Sequence, residues 1–171
     1  DQLLLNGTIR RSTSSWSSLL VIVKNDGIFR PCGDYRLHNT VTKPDRYPLP
    51  RMAVILDRIS GKSIFSTLGL RKVFHQVPIH EDDIQKTAET MPFGLFEYVT
   101  MPFRLRNAAQ MFQQYMDSLL HGLERFSACY IDDVIIFSDS EKEHEEHLST
   151  VMNILAKACL ELNKDKCVFR S

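Results

Sequence analysis

Two adjacent carboxylates, Asp132 and Asp133, close the tetrapeptide Tyr130-Ile131-Asp132-Asp133. Apolar runs flank it, Phe126-Ser127-Ala128-Cys129 before and Val134-Ile135-Ile136-Phe137 after. Two β-prone runs about a short polar centre predict a hairpin with both acids at its tip. Anions paired in this way repel each other. A divalent cation removes the conflict, because Mg²⁺ takes oxygen ligands and is held by one or two carboxylates together with substrate phosphates. A solvated acidic turn is the competing reading, and the dipeptide alone does not choose between the two.

The elements that must position this tip follow from periodicity. Residues up to about Ser18 are polar and Ser-rich, and are expected to be extended, with Trp16 as a core anchor. Leu19-Leu20-Val21-Ile22-Val23 predicts a buried strand, Asn25-Asp26-Gly27 a turn, and Ile28-Phe29-Arg30 a returning strand. Lys24 and Arg30 make this hairpin basic. Pro48 and Pro50 precede a helix whose Met52, Ile55, Leu56 and Ile59 share one face, stopped by Gly61. Ser63 to Leu70 reads as a strand and Phe74 as part of a short helical turn. Lys86–Met91 and Phe96–Met101 read as a hairpin across Pro92-Phe93-Gly94. A helix from about Asn107 carries an apolar stripe from Ala108 to Leu123. Ser140 with Glu143 forms a capping box, and Leu148, Val151, Met152, Leu155 and Cys159 line the helix it opens. A strand pair near Leu160–Leu162 and Cys167–Phe169 is expected last. Strand, helix, strand pair, helix, strand is a ferredoxin-like split βαβ layout. The fold class expected is α+β, an antiparallel sheet with helices on one face.

A chain of 171 residues forms one domain or two small subdomains. No apolar run has the length of a membrane span, and no signal-peptide pattern opens the chain, so no membrane partner and an intracellular location are expected. Cys32, Cys129, Cys159 and Cys167 lack zinc spacing and read as reduced thiols. Net charge is zero, but residues 1–80 carry 12 Lys+Arg against 5 Asp+Glu and residues 81–171 carry 9 against 16. A basic half can track phosphates and an acidic half can hold cations.

Landmarks along the chain stand in a definite order. Ser12-Thr13-Ser14-Ser15-Trp16 is followed by Asp34-Tyr35-Arg36 with Asn39, then Arg46-Tyr47-Pro48-Leu49-Pro50-Arg51. Phe74-His75-Gln76, Lys86-Thr87-Ala88, Met101-Pro102-Phe103, Asn107-Ala108 and Phe112-Gln113 come next. Tyr130-Ile131-Asp132-Asp133 and Lys166-Cys167 with Phe169 close the series. In these residues the chain resembles the reverse transcriptase of gypsy-type LTR retrotransposons, from about Ile9 to Phe169. The resemblance implies a polymerase palm, mainly residues 61–76 and 101–171, and fingers, mainly 1–60 and about 77–100. The thumb, connection and RNase H regions of the family are not expected here. It implies RNA-directed DNA polymerisation with Mg²⁺, acting on an RNA or DNA template-primer and dNTP. Asp132 and Asp133 would be catalytic and metal-binding. Lys24 and Arg30 would grip the triphosphate, and Phe74 would exclude a ribose 2′-hydroxyl by bulk or else sit in the core. Arg36, Gln76, Phe103 and Tyr130 would join the substrate-binding set. Lys166 would protonate the leaving pyrophosphate, or is a surface lysine. His144 and His147 have an i, i+3 spacing that suits zinc, but the family carries them without metal.

Two departures matter. The family pattern Leu-Asp-Leu supplies a third metal-binding carboxylate, and here the residues are Leu68-Gly69-Leu70. Loss of such a ligand is expected to cost several kcal/mol, a rate loss of about 10³-fold or more. Arg104 stands where the family has glycine, which costs roughly 1–2 kcal/mol if φ is positive. The expectation is an impaired polymerase. The alternative is a non-catalytic, retrotransposon-derived domain that keeps the fold and nucleic-acid binding. Restoring Gly69→Asp is expected to raise activity if the rest of the site is sound.

Overall fold

The computed structural model describes residues 2–25 and 27–170. In chain order it runs through the one-turn helix α1 (Gln2–Leu5) and the strands β1 (Ile9–Arg11), β2 (Ser18–Asn25) and β3 (Ile28–Gly33). Helices α2 (Arg36–Val41) and α3 (Met52–Ile59) and strand β4 (Ile64–Gly69) follow. Then come α4 (Glu81–Ile84), β5 (Glu89–Met91), β6 (Gly94–Tyr98), α5 (Ala108–Leu119), β7 (Ser127–Tyr130), β8 (Asp133–Ser138) and α6 (Glu141–Lys157). The chain forms two compact units, Asp1–Asp45 with Phe74–Ala108, and Arg46–Val73 with Ala109–Ser171. The first holds 9 Lys+Arg and 9 Asp+Glu, the second 12 and 12. The charge asymmetry along the sequence therefore disappears, because each unit draws on both halves.

The first unit is built on a five-stranded sheet in the order β1-β6-β5-β2-β3. Its neighbours are antiparallel except β2 and β5, which run parallel. The N-terminal stretch is more structured than its polar composition predicts. β1 pairs with β6, with Ile9 opposite Tyr98, and Ile9, Phe96 and Tyr98 form a buried cluster. Trp16 is not a core anchor: it is 43% exposed and meets His38 edge-on. Lys86 and Thr87 lie in a 3-10 turn rather than a strand. The Thr87 hydroxyl explains this, donating to Ile84 O at 2.6 Å and accepting from Tyr98 N–H at 2.8 Å. Of the predicted turn, Asp26 lies outside the described residues.

Glu89 opens β5 with no exposed surface. The buried Tyr35 hydroxyl donates to its Oε1 at 2.7 Å. A side chain on Gly33 would bring its Cβ within 2.1 Å of that oxygen, so the glycine makes room for the acid. Burial raises the Glu89 carboxyl above its ordinary pKa, opposed by the Tyr35 hydrogen bond.

The second unit carries the antiparallel sheet β4-β8-β7. Ile55 of α3 packs on Ala128 and Phe137, with Phe65, Tyr130 and Ile135 beside them. These residues alternate with Ser66, Val134, Ile136 and Ser138, which point to the opposite face. There α6 is tied down through buried His144, whose Nε2 lies 2.8 Å from Ser66 Oγ and whose Nδ1 lies 2.9 Å from Ser138 Oγ. Ser140 caps α6 as predicted, accepting from Glu143 N–H. After the helix Cys159 adopts φ +57, the left-handed conformation that usually falls to glycine at a helix end. The last two segments do not pair with each other. Leu162 bridges Leu70 and Val168 bridges Thr67, so both extend the β4 side of the sheet.

Candidate active site

The acidic tip forms as the sequence predicts. Tyr130 and Asp133 face each other across β7 and β8, leaving Ile131 and Asp132 as a two-residue loop. Such loops need φ > 0, and Ile131 sits at φ +53. For a β-branched residue this is an outlier costing about 1–3 kcal/mol, so the surroundings must hold it. Gln113 of α5 does so from a fully buried position. Its Oε1 accepts from Ile131 N–H at 3.0 Å, and its Nε2 donates to Cys129 O at 3.0 Å and to Asp117 Oδ1 at 2.9 Å. The Tyr47 hydroxyl donates to Asp117 Oδ2 at 2.6 Å. Tyr130 itself is half-buried on the Ile55 cluster.

Position 69 lies where the sequence argument needs it. Gly69 is in register with Asp133, and Leu70 N–H donates to Asp132 O at 2.8 Å. Among the described residues no other acid fills the gap, and no group of three or more His, Cys, Asp and Glu could hold a metal. The space is taken by the turn Lys164–Lys166. Asn163 N–H donates to Gly69 O at 2.8 Å. A Cβ on Gly69 would lie 2.4 Å from Lys166 Cβ and 3.3 Å from its carbonyl oxygen. Lys166 Nζ is 3.3 Å from Asp132 Oδ2. Burial, and next the charge of Asp132, raise the Asp133 pKa, while Lys166 lowers it. Two carboxylates, one already paired with an ammonium, and a third position closed by a lysine stem do not fit a two-metal centre. A side chain introduced by Gly69→Asp would require Lys166 to shift.

The remaining substrate-binding candidates lie in the first unit. Lys24 is exposed on β2, and the Arg30 side chain lies outside the described residues. Arg36 forks onto Asp34, with Nη2 to Oδ2 at 2.6 Å and Nε to Oδ1 at 2.8 Å, and holds that carboxyl at about 2. Phe74 meets Phe103 edge-on at 5.4 Å between ring centres, and His75 packs on Phe103 at 5.0 Å. Phe74 and Gln76 are both half-buried. Arg104 has φ +73, as its replacement of a glycine implies. Asn39 braces that loop, donating to Arg104 O at 2.8 Å and accepting from Arg106 N–H at 2.9 Å. His144 and His147 both turn to Ser138, and His147 stacks on Phe126 at 3.8 Å, which accounts for both rings by packing. A shallow polar cleft lined by Arg10, Arg11, Glu81 and Glu97 contains none of the predicted site residues.

A family model described as reverse transcriptase (RNA-dependent DNA polymerase) matches residues 22–171. This chain belongs to the reverse transcriptase family. The polyprotein of transposon 297 of Drosophila melanogaster is 41% identical over 99% of the chain and 17% of that polyprotein. The gypsy polyprotein of the same fly is 36% identical over 98% of the chain and 17% of its own length. The Tf2-3 polyprotein of Schizosaccharomyces pombe is 35% identical over 99% of the chain and 13% of its own. The chain thus spans about a sixth or less of these relatives. The protease-reverse transcriptase of a foamy virus, solved with double-stranded DNA, superposes with TM-score 0.91 at 25% identity, covering 99% of this chain and 30% of that one. The native prototype foamy virus protease-reverse transcriptase gives TM-score 0.88 at 26% identity, over 98% and 22%. The α+β palm-and-fingers fold expected from sequence is thereby found. For this reverse transcriptase domain, sequence reasoning missed Gln113, Asp117 and Tyr47 as supports of the tip. Gln113 stood among the family landmarks, but nothing local marked its partner as the loop at Ile131.

Proposed function

We propose that this chain is the fingers and palm part of a retrotransposon RNA-directed DNA polymerase whose nucleotidyl transfer is impaired at position 69. The first compact unit corresponds to fingers and the second to palm, with α3 assigned to the palm. The observation that carries the reading is Gly69 in register with Asp133, where the family resemblance calls for a carboxylate. Asp132 and Asp133 remain to hold Mg²⁺, weakly, and no third acid assists them. The resemblance assigns Lys24 and Arg30 to the triphosphate and Phe74 to discrimination against ribose. It assigns Arg36, Gln76, Phe103 and Tyr130 to substrate. Binding of a template-primer is supported by the foamy virus relative solved with double-stranded DNA.

Primer extension on RNA and DNA templates with Mg²⁺ and dNTP tests this, against a family member that carries aspartate at the position of Gly69. We expect a rate lower by about 10³-fold or more, abolished by Asp132→Asn, with binding of labelled template-primer retained. Extension at the reference rate overturns the reading. The ion pair of Lys166 with Asp132 favours a second one, a non-catalytic domain that still binds nucleic acid. Retained binding with no detectable extension singles it out.

A further inference from the structure

We propose that Glu89 is a proton-operated latch at the root of the β2–β3 hairpin, closed when its carboxyl is protonated and loosened when it ionises. The proposal does not rest on the polymerase reading, since it concerns only how this hairpin is tied into the first unit. The hairpin has six facing pairs, from Leu20 with Gly33 to Asn25 with Ile28. It joins β5 at one end, through Ser18 opposite Glu89 and Leu19 opposite Thr90. There Ser18 N–H donates to Ala88 O at 2.8 Å, and Asp34 N–H closes the hairpin onto Leu19 O at 2.8 Å. Glu89 therefore stands where the ribbon leaves the sheet, with no exposed surface and with Oε1 in the space beside Gly33. A count of protons at Tyr35 carries the proposal. Its hydroxyl has one proton and lies 2.7 Å from Glu89 Oε1 and 2.9 Å from Thr87 O. When Glu89 is ionised, that proton serves the carboxylate and Thr87 O loses its donor. A protonated Glu89 donates to the hydroxyl oxygen and leaves the hydroxyl proton for Thr87 O, so both contacts become hydrogen bonds. Among the described residues Glu89 Oε2 has no hydrogen-bond partner, and no cation pairs with the carboxyl. An unpaired oxygen on a neutral acid is far cheaper to bury than an unpaired carboxylate, and burial raises the pKa accordingly. The titratable groups around it are Tyr35, Tyr98 of β6 with Cys32 of β3 near it, and His38 of α2, edge-on to Tyr35 at 6.0 Å. None neutralises the carboxylate: the tyrosines and the thiol bear no positive charge, and burial together with Lys86 disfavours the charged form of His38, opposed by Asp83.

The test uses the chain itself, without substrate. Carbon-13 NMR of glutamate-labelled protein, assigned with E89Q, follows the titration of Glu89. Hydrogen exchange corrected for intrinsic rate gives the protection of the Ser18 and Asp34 amides from about pH 4 to about pH 8. The Glu89 signal should titrate above the ordinary value of 4.5. Protection in wild type relative to E89Q should fall by up to about tenfold per pH unit between pH 4.5 and that midpoint, and level off above it. The ratio removes His38, which both chains share. E89L has no titratable group at this place and should serve as the same reference, so the result does not hang on one variant folding. A Glu89 midpoint at or below 4.5 overturns the proposal, and wild type alone suffices to find it. A protection ratio that stays constant across the midpoint overturns it as well. Primer extension enters none of these outcomes, so the latch and the polymerase reading fail separately.

Discussion

Three of the five non-glycine residues at positive φ among the described residues show what individual positions tolerate. Arg104 at φ +73 and Cys159 at φ +57 sit where glycine serves better, and Ile131 at φ +53 is the most strained by type. For Cys159→Gly and Arg104→Gly, relief of the Cβ clash outweighs the added unfolded-state entropy. Each is expected to stabilise the fold by about 1 kcal/mol, read as a rise in urea midpoint at constant slope. Arg104 was legible in this respect from its place in the motif. Ile131 was not, because its conformation is set by a hairpin loop of only two residues. At Gly69 the missing side chain leaves the family's third carboxylate position without an acid, and Lys166 packs against it.

At the scale of elements, the tip is held by a helix. Gln113 on α5 links Ile131 N–H, Cys129 O and Asp117, and Tyr47 completes the chain of bonds. Gln113→Met keeps the volume but leaves a buried N–H and carbonyl unpaired. We expect a loss of about 2–3 kcal/mol by denaturant unfolding. Ile131→Gly in the same background should recover part of it, since glycine needs no brace at φ > 0. A cost near zero for Gln113→Met would show that the strained loop stands without α5. The periodicity of α5 was readable in the sequence, whereas Gln113 stood there only as part of a family landmark. Its use appears only once β7 and β8 are folded beside it.

At the scale of the whole molecule, one buried group in each unit responds to pH in the opposite sense to the other. In the second, burial, then His147 and Arg170, hold His144 below its ordinary pKa of 6.5. The unfolded chain therefore binds that proton more readily. His144 supports the unit fully above pH 6.5, and the support is lost as pH falls through its lower folded-state pKa. In the first unit, Glu89 has a folded-state pKa raised above 4.5. Its contribution is fully present below pH 4.5 and is lost as pH rises through the folded value. Hydrogen exchange at pH 7 and pH 5 should show protection of α6, β4 and β8 falling on acidification. Around β5 the gain at Glu89 is set against His38, whose pKa burial lowers, so protection there should fall less than in the second unit. Glu89→Gln should stabilise the first unit at pH 7 by about 1 kcal/mol and lose its advantage toward pH 4. Equal acid loss in both units for wild type and Glu89→Gln would contradict these assignments.

Hydrophobic periodicity and turn chemistry sufficed for the acidic hairpin, for α5 and α6, and for the strand that ends at Gly69; they placed α3 but not its buried face, since Met52 and Leu56 of the expected stripe are exposed. The ordered motifs were enough to recognise the family and to notice the absent acid. Only the folded chain decided that Lys166 lies over Gly69, that Gln113 braces Ile131, and that Glu89 fills the space left by Gly33. These are contacts between residues far apart in sequence. Packing density and the pairing of buried polar groups fix them, and no local pattern encodes either.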